Sequence, residues 1–346
     1  MVELLSQYGL FLAQVVTVVI AIIVVIAAVA SSRSSDEDSG DVKITCLNEE
    51  FDKMEERIKN AIFDKEQLKQ EAKEKKKADK AEAKAKKKSD QEDEKKPRVF
   101  VLDYDGDIKA SGHESLAKEI SSVLMVAESS DEIVLRLESP GGMVHAYGLT
   151  SSQLDRIKKK EIPLTICVDK MAASGGYMMA CIADKILAAP FAIVGSIGVM
   201  ATVTNFNKIL KKNDVDVEIM TAGKFKRTVS MFGEITDEGR EKFIEELDDT
   251  HELFKDHIKE RRPVVDIEDI ATGEHWYGTR ALEKKLIDGI MTSDEYLLDK
   301  YKEADIFQVK FREKKTLADK FGIAVEGAMT RALEKVAVES NLKRFL

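Results

Sequence analysis

From Val99 onward, short apolar runs closed by turn residues alternate with segments of helical period, and this alternation restricts the fold more than any other feature of the chain. VFVLDYDG, IVLRLES (133–139) and LTICV (164–168) have the length and residue types of buried strands, while 114–129 and 144–160 carry apolar residues at helical spacing. A helix opens near Ser174, followed by KILAA, the turn VGSIGV, a helix near 206–212 and a strand VDVEIMTA. A long amphipathic helix over 236–260, helical pieces at 278–286 and 293–302, and a strand FQVKF (307–311) complete the unit. A last amphipathic helix is expected over about 315–340. Strands separated by helices are joined by crossovers and become parallel neighbours. The expected class is therefore α/β, a mostly parallel sheet with covering helices. No internal repeat is visible.

The amino-terminal quarter has a different composition. From Leu10 to Ala30 there is no charge, and 21 such residues at 1.5 Å each span about 30 Å, the thickness of a bilayer core. A cleaved signal peptide would want a positive start and a shorter apolar run; this one carries Glu3 ahead of it and no Lys or Arg, so a retained transmembrane anchor is expected. Arg33 and Lys43 follow the run and no basic residue precedes it, which by charge alone favours a cytoplasmic carboxyl-terminal side. Residues 31–48 read as a polar linker, and Glu49 to Lys96 as a run of Glu, Lys, Ala and Gln. Phe51, Met54, Ile58, Ile62 and Leu68 recur at helical spacing, so the first half of that run can pack; the second half is a solvated helix or a disordered tether. The expected organisation is an anchor at 1–32, a charged spacer at 33–97, a globular domain at 98–312 and a carboxyl-terminal helix at 313–346.

A net charge of −9 argues against a general nucleic-acid binder. Cys46, Cys167 and Cys181 have neither CxxC spacing nor a His/Cys cluster for zinc and read as free thiols, the last two buried. A second uncharged stretch, Ile186 to Thr204, contains Pro190, Gly195 and Gly198 and is rich in β-branched residues. It reads as two short buried strands around a glycine turn rather than as a second membrane span.

The chemistry concentrates in the sequence MAASGGYMM (171–179). Ser174 follows a strand and opens a helix, where free backbone N–H groups gather. The Gly175 N–H there could donate to a developing oxyanion. The plainer reading is that Ser174 caps the helix. Ser139-Pro140-Gly141-Gly142 follows another buried strand, and Gly141 or Gly142 could supply a second donor. A serine nucleophile needs a base. Of His113, His145, His251, His257 and His275, only His145 lies near a glycine motif, and it reads as the start of the next helix. Lys224 and Lys226, in TAGKFK, follow a strand end; they alternate, so an extended segment would turn only one of them to the sheet. Burial would be needed to lower a lysine pKa far enough for it to act as a base. Ser196 in VGSIGV could accept a hydrogen bond from the lysine amine, or be only a turn serine.

SPGG, MAASGGY, VGSIGV and TAGKFK together, at these spacings, resemble the signal peptide peptidase A and SohB family of serine proteases over about residues 99–300. The resemblance implies a ClpP/crotonase-like fold and a Ser-Lys dyad. Ser174 would be the nucleophile, Lys226 the general base, Ser196 the residue that positions the lysine, and the N–H groups of Gly141 and Gly175 the oxyanion hole. It implies no metal or cofactor. It implies a homo-oligomeric ring with inward-facing sites and a dyad that can be completed across protomers. Expected substrates are signal-peptide remnants or other small apolar peptides. The expected place is the inner membrane with the catalytic domain on the periplasmic face, against the charge rule. A membrane scaffold without hydrolysis and an acyl-CoA enzyme of the same broad fold are the competing readings. The charged spacer is poorly matched to the family.

Overall fold

The computed structural model describes residues 9, 10, 14, 15, 17, 18, 40–70, 73, 77 and 96–312. Most of the apolar run 10–30, the second half of the charged segment and the helix expected over 315–340 lie outside the described residues. Among the described residues, no helix is long and apolar enough to cross a membrane.

The elements begin with β1 (Asp41–Cys46), α1 (Leu47–Ile62), β2 (Arg98–Asp105), α2 (His113–Leu124), β3 (Glu132–Glu138), α3 (Val144–Lys158), β4 (Leu164–Val168), β5 (Met171–Ala173) and α4 (Gly175–Ala180). They continue with β6 (Lys185–Ala188), β7 (Ile193–Gly195), α5 (Asn207–Lys212), α6 (Asp237–Arg261), α7 (Ile267–Ile270), β8 (His275–Tyr277), α8 (Gly278–Glu283), β9 (Gly289–Ile290), α9 (Ser293–Lys300) and β10 (Asp305–Arg312). Seven strands form one sheet in the order β1-β10-β2-β3-β4-β6-β9, and every neighbour pair from β10 to β9 is parallel. The fold is thus mixed α/β with a mainly parallel sheet. The compact unit Val42–Lys310 carries it.

Strand sequences explain the burial. Both faces of a crossover-connected sheet are covered, so its strands are apolar almost throughout. Leu102, Leu135, Ile166 and Ile186 align across four strands in one cluster. Their alternates Val101, Val134, Cys167 and Leu187 belong, with Ile306 of β10, to the cluster on the other face, beneath Tyr296 and Leu297 of α9. Burying each such side chain contributes about 1.5–3 kcal/mol.

The stretch 186–204 forms two short strands, β6 and β7, and then irregular backbone beyond the Gly195 turn. Part of the region read as a spacer is folded. β1 edges the sheet, Leu47 is buried, and Phe51 packs edge-on to Tyr301 at 5.3 Å. Met54, Ile58 and Ile62 stay exposed. One expected element does not form. VDVEIMTA, read as a strand, has irregular backbone, and Val215, Val217, Ile219 and Met220 are exposed. Its residues alternate as a strand should, but no neighbouring strand offers hydrogen-bond partners, and a lone strand has no ladder to join. β5 and β8, too short for a sequence pattern to mark, join β7 in a second sheet of order β5-β7-β8.

Candidate active site

The small sheet exists to join the ends of two turns. β5 pairs in parallel with β7, with Ala173 opposite Gly195, so Ser174 and Ser196 leave the sheet side by side. The Ser174 N–H donates to the Gly195 carbonyl at 2.7 Å, and the Ser196 N–H donates to the Glu274 carbonyl at 2.7 Å. Both serines hold a left-handed φ, +52° and +54°, which residues other than glycine rarely adopt. Ser174 sits at the start of α4, half-buried, yet its side chain makes no capping hydrogen bond. The capping reading of Ser174 therefore loses its main support.

Ser139 binds the site's two turns to each other. Its N–H donates to the Met171 carbonyl at 2.8 Å and its carbonyl accepts from the Ala173 N–H at 3.0 Å, which fixes the strand leading into Ser174. Its hydroxyl accepts from the Gly141 N–H at 3.1 Å and lies 2.6 Å from the Tyr147 hydroxyl. Tyr147 in turn donates to the Asp107 carbonyl at 2.7 Å. Burial holds the Tyr147 phenol above its ordinary pKa, against the lowering effect of the Ser139 bond. The Asp107 carboxylate accepts from the Ser111 N–H and hydroxyl and from the Lys109 N–H, and these bonds hold it below the usual carboxylate range. The loop that carries Asp107 is thereby shaped.

Gly141 has φ +85°, and a Cβ there would fall 2.7 Å from the Ala173 oxygen, the Gly175 nitrogen and the Ser174 Cβ. The glycine turn and the serine turn are therefore in direct backbone contact. Of the expected oxyanion donors, the Gly175 N–H has no acceptor among the described residues. The Gly141 N–H differs from expectation: it is already bonded to Ser139 Oγ, because the turn folds back on the side chain two residues earlier. The Gly142 N–H is the one in this turn with no acceptor among the described residues.

Lys226 is not brought to this cluster within one chain. It is exposed and makes no hydrogen bond to Ser174 or Ser196. It lines an open cavity with Val217, Ile219, Met220, Arg227 and Phe232. The segment is stitched to α5 instead: the Asn205 amide donates to the Ser230 and Gly233 carbonyls, and the Asn207 amide to the Phe232 carbonyl, each at 2.9 Å. Lys224 is also exposed and pairs with Glu238 at 2.5 Å, so neither lysine faces the sheet. His145 is exposed on the first turn of α3. His257 is bound to the Met178 carbonyl at 3.0 Å. Cys167 and Cys181 are buried, and burial pushes both thiols up to about 12. Among the described residues, no group of three or more His, Cys, Asp or Glu forms a metal cluster.

Sequence reading missed Tyr147, Asp107 and Asn205. Tyr147 sits among apolar and polar helix residues with no motif around it, and its partner Asp107 is 40 positions away. Ser139 lay in a recognised motif, but only its glycines had been given a role.

Two family models tile the chain: Peptidase family S49 N-terminal over residues 3–154 and Peptidase family S49 over residues 156–306. "Probable protease SohB" of Haemophilus influenzae is 47% identical over 345 residues, covering 98% of each chain. The protein of that name from Buchnera aphidicola subsp. Acyrthosiphon pisum is 51% identical over 71% of this chain and 73% of its own. A solved structure of a mutant 1510-N membrane-bound stomatin-specific protease with a substrate peptide is 15% identical, covers 66% of this chain and 98% of its own, and has a TM-score of 0.41. With both family models matched in succession and nearly half of all positions shared over the full length of a relative, the chain belongs to peptidase family S49 and is a serine-type peptidase.

Proposed function

We propose that the chain is a membrane-anchored endopeptidase of ClpP/crotonase-like fold that works through a Ser174–Lys226 dyad. The observation that carries this reading is the backbone at Ser174. A serine with φ +52°, a hydroxyl that caps nothing, and an unbonded N–H on the next residue is a presented nucleophile beside an oxyanion donor. Neutral Lys226 removes the Ser174 proton as the oxygen attacks the peptide carbonyl. The oxyanion receives the Gly175 N–H and, in place of the Gly141 N–H, that of Gly142. Protonated Lys226 then gives its proton to the leaving amine. A water, deprotonated by Lys226, hydrolyses the acyl-enzyme. Ser196, one position past the residue paired with Ala173, orients the amine in this reading.

Lys226 needs to leave water for this chemistry. Val217, Met220, Phe225 and Phe232 are exposed apolar side chains lining the cavities of its segment, which supports burial against a neighbouring copy in a ring. The dyad is then completed between protomers. The anchor is residues 10–30, in an inner membrane, with the catalytic domain on its periplasmic side. The substrates are apolar peptides such as signal-peptide remnants.

The test is acylation of the full-length protein by a fluorophosphonate, read by mass spectrometry. An adduct on Ser174 that disappears in Lys226→Ala supports the dyad. An adduct that forms at the same rate in Lys226→Ala removes Lys226 as the base. No adduct on the assembled protein removes Ser174 as the nucleophile.

A further inference from the structure

Two buried hydroxyl groups, those of Ser139 and Tyr147, lie against the peptide segments that carry the candidate oxyanion donors. Ser139 and Tyr147 are fully buried. Their bonds can run in only one sense. The Asp107 carbonyl can only accept, so Tyr147 donates to it. The Tyr147 oxygen therefore accepts from the Ser139 hydroxyl. The Ser139 oxygen keeps a lone pair, and the Gly141 N–H takes it. The chain Gly141 N–H to Ser139 to Tyr147 to Asp107 carbonyl is thus directed and fully satisfied, an arrangement in which each bond polarises the next.

The same two residues also hold the opposite wall. A Cβ on Gly175 would fall 2.4 Å from Tyr147 Cγ, so the Gly175 backbone rests on the phenol ring. A Cβ on Gly176 would fall 2.7 Å from the Ser139 carbonyl oxygen. Gly106 closes the group: a Cβ there would meet the Tyr147 hydroxyl at 2.6 Å and Ser139 Oγ at 2.7 Å. The 107–108 backbone then reaches the far side of the turn, where the Met143 N–H donates to the Ile108 carbonyl at 2.8 Å. Both peptide segments that carry the candidate donors, 141–142 and 174–175, therefore rest on the Ser139–Tyr147 pair, the second also held by the Ser174 N–H bond to the Gly195 carbonyl.

We infer that Ser139 and Tyr147 are positioning residues of the oxyanion hole, setting the distance between the Gly142 and Gly175 N–H groups before substrate arrives. The inference rests on the peptidase reading of Ser174 given above. A positioned hole acts on the tetrahedral intermediate and not on the bound peptide, so its loosening lowers kcat and spares KM.

The experiment uses the full-length protein, a fluorogenic peptide amide of alanine and leucine, and the peptide aldehyde of the same sequence, whose hemiacetal oxygen occupies the hole. Tyr147→Phe keeps the ring against Gly175 and removes the hydroxyl; Ser139→Ala removes the other hydroxyl and leaves Tyr147 on Asp107. Each is expected to lower kcat about 10- to 100-fold, less than or comparable to deleting one donor, to weaken the aldehyde by a similar factor, and to leave KM within about twofold. Melting temperatures taken alongside confirm that the variant assayed is folded. Unchanged kcat, or a loss confined to KM, in variants whose parent is acylated at Ser174 overturns the inference alone. A parent with no acylation at Ser174 overturns the underlying reading as well, so the two failures are told apart.

Discussion

Ser174 and Ser196 each hold a backbone conformation that costs a residue with a Cβ about 1–3 kcal/mol. The cost is offset where each strained peptide finds a partner, Gly195 for one and Glu274 for the other. At this scale the site also has a pH liability. His257 Nε2 lies 3.0 Å from the Met178 carbonyl in the helix that Ser174 opens, and since a carbonyl only accepts, that nitrogen carries the proton. Desolvation holds the imidazole below its ordinary pKa of 6.5, partly opposed by the Met178 bond, with Arg261 lowering it and Asp155 and Glu260 raising it. The unfolded chain therefore binds a proton on His257 that the folded chain refuses. Stability is full above the unfolded value and falls as pH drops through about 6.5 towards the depressed folded value. Melting temperature should consequently fall more steeply between pH 7 and 5 in the parent than in His257→Gln, which keeps an N–H for Met178 and has no charge to gain. Parallel curves for the two proteins would remove His257 from the account.

In the region read as a charged spacer, α1 forms where the helical spacing expected a helix, and β1 before it is the part the sequence reading did not mark. Composition marked the region as charged spacer, and the helical spacing of Phe51 hinted that its beginning could pack. Beside the Leu47 and Phe51 contacts, one side chain supplies the hydrogen bonds of the docking. The Asn48 amide donates to the Tyr301 and Ala304 carbonyls at 2.9 Å each, and its oxygen accepts from the Ile306 N–H at 2.7 Å. It thus closes the backbone groups left between α9 and β10. Asn48→Ala strands all three, which predicts a loss of about 2–3 kcal/mol in urea unfolding. Hydrogen exchange should show the loss concentrated in α1 and β10. Exchange that rises uniformly across the domain, or a change under about 0.5 kcal/mol, would mean that Leu47 and Phe51 hold the helix without it.

On the scale of the whole molecule, the segment from Met200 to Phe232 is an unfinished surface. Met220 is 87% and Met200 84% exposed, and large apolar side chains left open to water in one region mark a surface for another molecule. If a second copy covers this surface and thereby dries Lys226, one substitution should remove assembly and activity together. Met220→Lys is expected to reduce the mass of the assembly in sedimentation and to lower Ser174 acylation about tenfold or more. A variant that stays assembled and active would place the ring contact elsewhere, and one that dissociates but acylates normally would show that the dyad forms within one chain.

The alternation of short apolar runs with helical segments determined a parallel α/β sheet, because the period of burial and the length of each run are local properties that a sequence carries openly. The same is true of Ser174, Gly175, Gly141 and Ser196: glycine patterns announce turns where the backbone must bend or be approached. The structure alone decided which turns meet. Ser139 reaching Tyr147, and Tyr147 reaching a carbonyl 40 residues back, depend on how crossovers close, and no local pattern encodes that closure. Structure also decided that VDVEIMTA, a strand by pattern, is not one here, since a strand is made by its neighbour as much as by itself. For Lys226 the structure decided only that the side chain is exposed in one chain, beside an open cavity, because no local pattern encodes what packs on a surface segment.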